Sequence, residues 1–126
     1  MAWRAIYALP PHQRVIQTAN GALAVDNKDW LIGKKLYVDR GYEVGEMDSA
    51  VAALRAAGWL PPERTTMVDA GANIGMISIA MLLRGHFQRA LAFEPVERSH
   101  RLLVDNVARN GLTERVHCLR LALSAG

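Results

Sequence analysis

The chain contains a single cysteine, Cys118, among 126 residues. No internal disulfide can form, and a reducing compartment is its natural setting. No stretch is long and apolar enough to span a membrane, and no charged N-terminal segment leads into an apolar signal core. These absences predict a cytoplasmic protein with no membrane partner. Charge of one sign is nowhere concentrated. The formal charge of +3 comes mostly from arginine, but the positive residues (Arg4, Arg14, Lys28, Lys34, Lys35, Arg98, Arg101, Arg109, Arg115 and Arg120) are scattered. A solvated surface is therefore expected, with no nucleic-acid partner. His12, His86, His100 and His117 lack metal-ligand spacing among themselves, so no metal is expected. Trp3, Trp30 and Trp59 read as packing residues, not as a base-stacking platform. Internal repeats and low-complexity tracts are missing as well.

What is present describes an ordinary globular chain, 51% hydrophobic and 21% charged. A chain of this size can bury roughly two thirds of its unfolded surface, enough for a true core. Cys118 sits in the apolar run Val116-His117-Cys118-Leu119, where a buried, inert thiol is expected.

The texture changes near residue 65. Before it, Val15 to Ala19 and Ala22 to Val25 flank Asn20-Gly21, a pair that tolerates the positive φ of a two-residue hairpin turn. Leu36-Tyr37-Val38 adds a short strand to make a β meander. Gly41 and Gly45 mark a loop before a helix from Met47 to Ala57, stopped by Gly58. Trp59 to Arg64 is a connector, because its paired prolines cannot continue a helix. From Thr65 onward strands and helices alternate. Strands are expected at Thr66 to Ala70, Ala90 to Phe93 and Val116 to Leu121. Helices are expected at Asn73 to Arg84 and Val96 to Asn110, the second placing Leu103 and Val107 inward. Alternation of this kind implies right-handed crossovers and a parallel sheet. The expected division is residues 1–64 as an extension and 65–126 as half of a Rossmann-like cofactor domain.

The chemistry is concentrated in Asp69-Ala70-Gly71-Ala72-Asn73-Ile74-Gly75 and in Glu94. A strand turning sharply into a helix needs glycine where the backbone angles are unusual or a ligand lies close. Gly71 suits the turn and the approach of a ligand, and Gly75 suits packing of helix on sheet. Asn73 stands where a dinucleotide fingerprint carries the glycine that admits a pyrophosphate. A cofactor without phosphates does not need that room, which favours S-adenosylmethionine. Glu94 ends the second strand about twenty residues on, where a carboxylate can accept hydrogen bonds from both ribose hydroxyls. Asp69 would lie near the cofactor's ammonium, a favourable place for negative charge.

These residues resemble the FkbM-type S-adenosylmethionine-dependent methyltransferases. The resemblance is carried by Val68 to Gly75, by Ala92-Phe93-Glu94-Pro95, and by Leu103 to Asn106 with Arg109-Asn110-Gly111. Gly41-Tyr42-Glu43 and Val116 to Ser124 extend it, so that it covers residues 36 to 126. It implies an incomplete class I methyltransferase fold and O-methyl transfer to a hydroxyl of a sugar, glycolipid or natural product. It makes Asp69, Gly71, Asn73, Gly75 and Glu94 cofactor residues and places Leu123 or Ser124 near the adenine. Glu43 matches a family position whose role, at the cofactor or in the scaffold, stays open. Asn106 and Asn110 read as helix-end and turn residues.

A class I methyltransferase sheet has seven strands, and about three are expected here. The later segments that would face the acceptor have no counterpart in these residues, so no catalytic base is assigned. Methyl transfer can proceed by positioning the acceptor hydroxyl alone. A fragment, a truncated product or one piece of a split enzyme would all have this layout. The unpaired sheet edge predicts self-association or a missing C-terminal half. Two rivals remain: a dinucleotide-binding oxidoreductase domain and a non-catalytic scaffold module.

Overall fold

The computed structural model describes residues 2–63 and 65–125. Arg64, the last residue of the expected connector, lies outside the described residues, as do Met1 and Gly126. The elements run α1 (Trp3–Ala8), β1 (Gln13–Thr18), β2 (Gly21–Asp26), α2 (Ile32–Asp39), α3 (Val44–Ala56), β3 (Thr66–Ala70), α4 (Met76–Leu83), β4 (Arg89–Phe93), α5 (Glu97–Arg109) and β5 (Val116–Leu119). The strands form an antiparallel hairpin, β1-β2, and a parallel sheet in the order β3-β4-β5. The result is a mixed α/β architecture compatible with part of a Rossmann-like fold.

The second half follows its periodicity closely, with shifts that have local causes. The helix expected from Asn73 begins at Met76, because Asn73 (φ +52°) and Gly75 (φ +96°) take left-handed angles that a helix excludes. The third strand stops at Leu119, two residues early, and residues 120–125 have no regular structure. In α5 the inner face holds Leu102 and Asn106 beside Leu103 and Val107.

The first half departs further. Leu36-Tyr37-Val38 is not a strand, so the expected meander is a hairpin flanked by helices. These residues lie in α2, whose start is fixed by Asp29: its Oδ1 accepts the N–H groups of Leu31 and Ile32, both at 2.9 Å. Leu36 is fully buried on that helix. α1 is an element that the sequence pattern did not suggest, and it inserts Trp3 and Ile6 into the core. The hairpin turn is Ala19-Asn20, one residue earlier than expected, with Thr18 paired to Gly21. Gly21 takes the positive φ of +112°, and a Cβ there would meet Asn110 Oδ1 at 2.7 Å. Of the tryptophans only Trp3 is buried, whereas Trp59 is 80% exposed. Cys118 is half-buried, and burial pushes its thiol above the ordinary value.

One hydrophobic cluster draws on both halves: Ile6, Leu23, Val25 and Leu36 pack with Ile79, Leu103 and Val107. The hairpin reaches it by lying along α4 and α5, with β2 against both helices. The inner face of the parallel sheet (Ala90, Ala92, Val116) is buried under the same layer. The opposite face is open. Val68 is 60% exposed, and Thr66, Ala70 and His117 are exposed alongside it.

Candidate functional site

The carboxyl ends of β3 and β4 meet at one corner. There the Gly71 and Ala72 N–H groups both donate to Phe93 O at 2.9 Å, which folds the turn after β3 back over the end of β4. Gly71 has φ +79°, and a Cβ placed on it would meet nothing within 4 Å, so its backbone faces open space. Gly75 is the reverse case. A Cβ there would come within 2.9 Å of Leu103 Cδ1 and 3.0 Å of Ile79 Cδ1, so its lack of a side chain lets α4 and α5 close on each other. Asn73, between them, adopts the left-handed region that asparagine tolerates better than most residues.

Glu94 stands at the centre of this corner, 6% exposed. Its Oε2 accepts the N–H of Asn73 at 2.8 Å and its Oε1 accepts the N–H of Val96 at 2.9 Å. Its own N–H donates to Leu119 O at 3.0 Å, tying it to the end of β5. No Lys or Arg forms an ion pair with Glu94 among the described residues. Burying a carboxylate costs free energy unless hydrogen bonds compensate, and two backbone donors are a modest compensation. Each oxygen retains a second lone pair able to accept a hydroxyl.

Asp69 points to the helix side of β3, where the fully buried Ser78 Oγ donates to its Oδ2 at 2.6 Å. Ser78 went unnoticed in the sequence. Its signal is a lone hydroxyl in the first turn of an otherwise apolar helix, nine residues after the aspartate. The structure thus gathers Asp69, Gly71, Asn73, Gly75 and Glu94 at one sheet edge. Leu123 and Ser124 lie apart from them in sequence, in the exposed segment after β5.

Asn106 and Asn110 are more than helix-end residues. The Asn106 side chain accepts the Ala24 N–H at 2.6 Å and donates to Ala24 O at 3.1 Å and Ile74 O at 3.0 Å. Asn110 accepts the Ala22 N–H at 3.0 Å and donates to Ala22 O at 2.8 Å. The amides act as surrogate strand partners for β2, and through Ile74 one of them also holds the glycine turn. Glu43 takes φ +52° at the start of α3, where its carbonyl accepts the Met47 N–H and its side chain makes no capping hydrogen bond.

No protein-family model matches the chain. Over 94 residues it is 30% identical to the methyltransferase sdnD of Sordaria araneosa, an alignment that covers 75% of this chain and 31% of that protein. The chain therefore spans less than a third of the length of this relative. Similarity to a methyltransferase is the coarse functional result, and among the described residues no helix is long and apolar enough to cross a membrane.

Proposed function

We propose that this chain carries the cofactor-binding part of an S-adenosylmethionine-dependent methyltransferase of the FkbM type. The acceptor would be a hydroxyl of a sugar, glycolipid or natural product, and the setting cytoplasmic. The observation that carries the reading is Glu94: a carboxylate buried at the end of β4, fixed by one backbone N–H on each oxygen, with one lone pair free on each. Two vicinal ribose hydroxyls need two acceptors at that spacing.

The residues fit the cofactor on a second count. The open backbone at Gly71 leaves room beside the turn, which a larger residue would narrow. Asp69, held by Ser78, supplies negative charge for an ammonium, and Leu123 or Ser124 would border the adenine. The cofactor, when bound, supplies an electrophilic methyl group. The chain's own residues bind and orient it, and none of them is assigned as a base. Self-association through the open β3 edge belongs to the same reading, and a monodisperse monomer in sedimentation would count against it.

The test is a thermal melt with and without S-adenosylhomocysteine, run beside Glu94→Ala. Ligand at about a hundred times its dissociation constant adds roughly 2.7 kcal/mol of stability. The expected result is a stabilised wild type and an unmoved variant. A cooperative wild-type melt that ignores S-adenosylhomocysteine but responds to NAD would favour a dinucleotide-binding domain instead. Response to neither ligand would favour a scaffold.

A further inference from the structure

A second surface, outside the Glu94 corner, combines aromatic rings, an exposed aliphatic side chain and two lysines without a carboxylate partner among the described residues. Tyr7 at the end of α1 and Trp30 in the loop before α2 meet edge to face, with ring centroids 5.3 Å apart. Both are about two fifths exposed, and the adjacent Leu31 is 78% exposed at the head of α2. Lys28 Nζ lies 5.0 Å from the Tyr7 ring centroid and Lys34 Nζ lies 4.5 Å from that of Trp30. Neither lysine forms an ion pair among the described residues. The nearest acid in sequence, Asp29, spends its Oδ1 on the Leu31 and Ile32 N–H groups. Asp29 keeps its negative charge, so Lys28 and Lys34 outnumber one carboxylate here; Lys34 lies over the Trp30 ring, while Lys28 lies over the Tyr7 ring and also donates to Tyr7 O.

The geometry points to an anionic lipid surface as the occupant of this patch. Three features favour it over a protein partner. Tyrosine and tryptophan rings with a polar rim suit the boundary between headgroups and acyl chains. Lysines without counter-ions complement negative headgroups. A cluster of so few side chains falls far short of the twenty to thirty residues that a stable protein interface places on each side, whereas insertion into lipid gains from each apolar side chain separately. α1 contacts α2, and α2 contacts both strands of the hairpin, so the patch could meet a membrane without displacing the parallel sheet. The absence of a spanning helix does not bear on binding of this kind, which takes place in the headgroup plane. The inference stands independently of the cofactor reading.

Co-sedimentation of the whole chain with vesicles of phosphatidylcholine alone, or mixed with phosphatidylglycerol, tests it. Binding is expected only where the anionic lipid is present, and added salt should weaken it. Lys28→Gln with Lys34→Gln should reduce partitioning by about fivefold for each lysine. Trp30→Ala with Leu31→Ala should reduce it further, while far-UV circular dichroism stays unchanged because neither side chain belongs to the core cluster. Failure of the wild type to pellet with anionic vesicles overturns the proposal, as does pelleting that both double variants leave unaltered. If the variants instead convert an oligomer to a monomer without any vesicle binding, the patch is a protein interface and the lipid assignment is wrong.

Discussion

The parallel sheet pairs backbone with backbone from Thr66 to Leu119, whereas the outer edge of β2 is paired with side chains. Asn106 and Asn110 stand one helical step of four residues apart on α5, a rise of about 6 Å. Ala22 and Ala24 are two residues apart on β2, about 6.8 Å in an antiparallel strand. The near match lets one helix satisfy both alternate residues of the strand with primary amides that carry donor and acceptor together. A second difference accompanies the first. The hairpin is closed in by α4 and α5 on its β2 side, while the parallel sheet keeps one face open around Val68. A strand edge can thus be sealed without another strand, and the two regions differ both in what pairs their edges and in how far they are buried.

The comparison breaks most sharply at Asn106. Asn106→Leu would leave the Ala24 N–H, Ala24 C=O and Ile74 C=O buried without that partner, and each unsatisfied group costs about 1–3 kcal/mol. A loss of at least about 3 kcal/mol is expected by urea titration. A loss below about 1 kcal/mol would mean that the hairpin is not held through its edge.

A smaller effect is expected where α3 meets the end of α4. Asp48 bonds the Arg84 guanidinium and His86 Nε2, the latter at 2.6 Å, and Arg84 followed by His86 holds its carboxyl well below the usual carboxylate range. A depressed pKa contributes stability that is complete above the unfolded value, 3.8, and is lost as the pH falls through the folded one. Asp48→Asn should therefore melt slightly lower than wild type at neutral pH, and the two curves should converge in acid below pH 3.8. A difference that persists unchanged in strong acid would show that the ion pair is not its source.

The least effect is expected on the open face. Val68→Ser should change stability by no more than about 0.5 kcal/mol, as for other exposed sites. A loss of 2 kcal/mol or more, about the cost of an emptied core position, would reveal that in solution this face is covered, for example by a second copy.

The Glu94 corner was readable because its constraints are local. Asp69 through Gly75 form one turn, and the acid follows after a helix of fixed length, so spacing alone brings these residues to one edge. The α5 asparagines read as helix-end residues because nothing within five residues of either shows that a strand some eighty positions upstream lies beside them. Ser78 is silent in the sequence for a similar reason, since a hydroxyl in an apolar helix has no evident partner until the strand beneath it is placed. At Leu36 the sequence suggests a strand and the chain is helical, because a three-residue apolar run fits either period. The cap that decides for a helix comes from Asp29, which lies outside the run.

By itself, then, the sequence determined the alternation of β3 through β5, the glycine turn and the acid at the next strand's end, since short-range sterics and periodicity suffice for these. Only the tertiary structure decided which side chains complete the edge of β2, which carboxylate oxygens are occupied at Glu94 and which face of the sheet stays open. Those outcomes depend on how packed elements distant in the chain share hydrogen bonds and exclude water, and no local pattern records that.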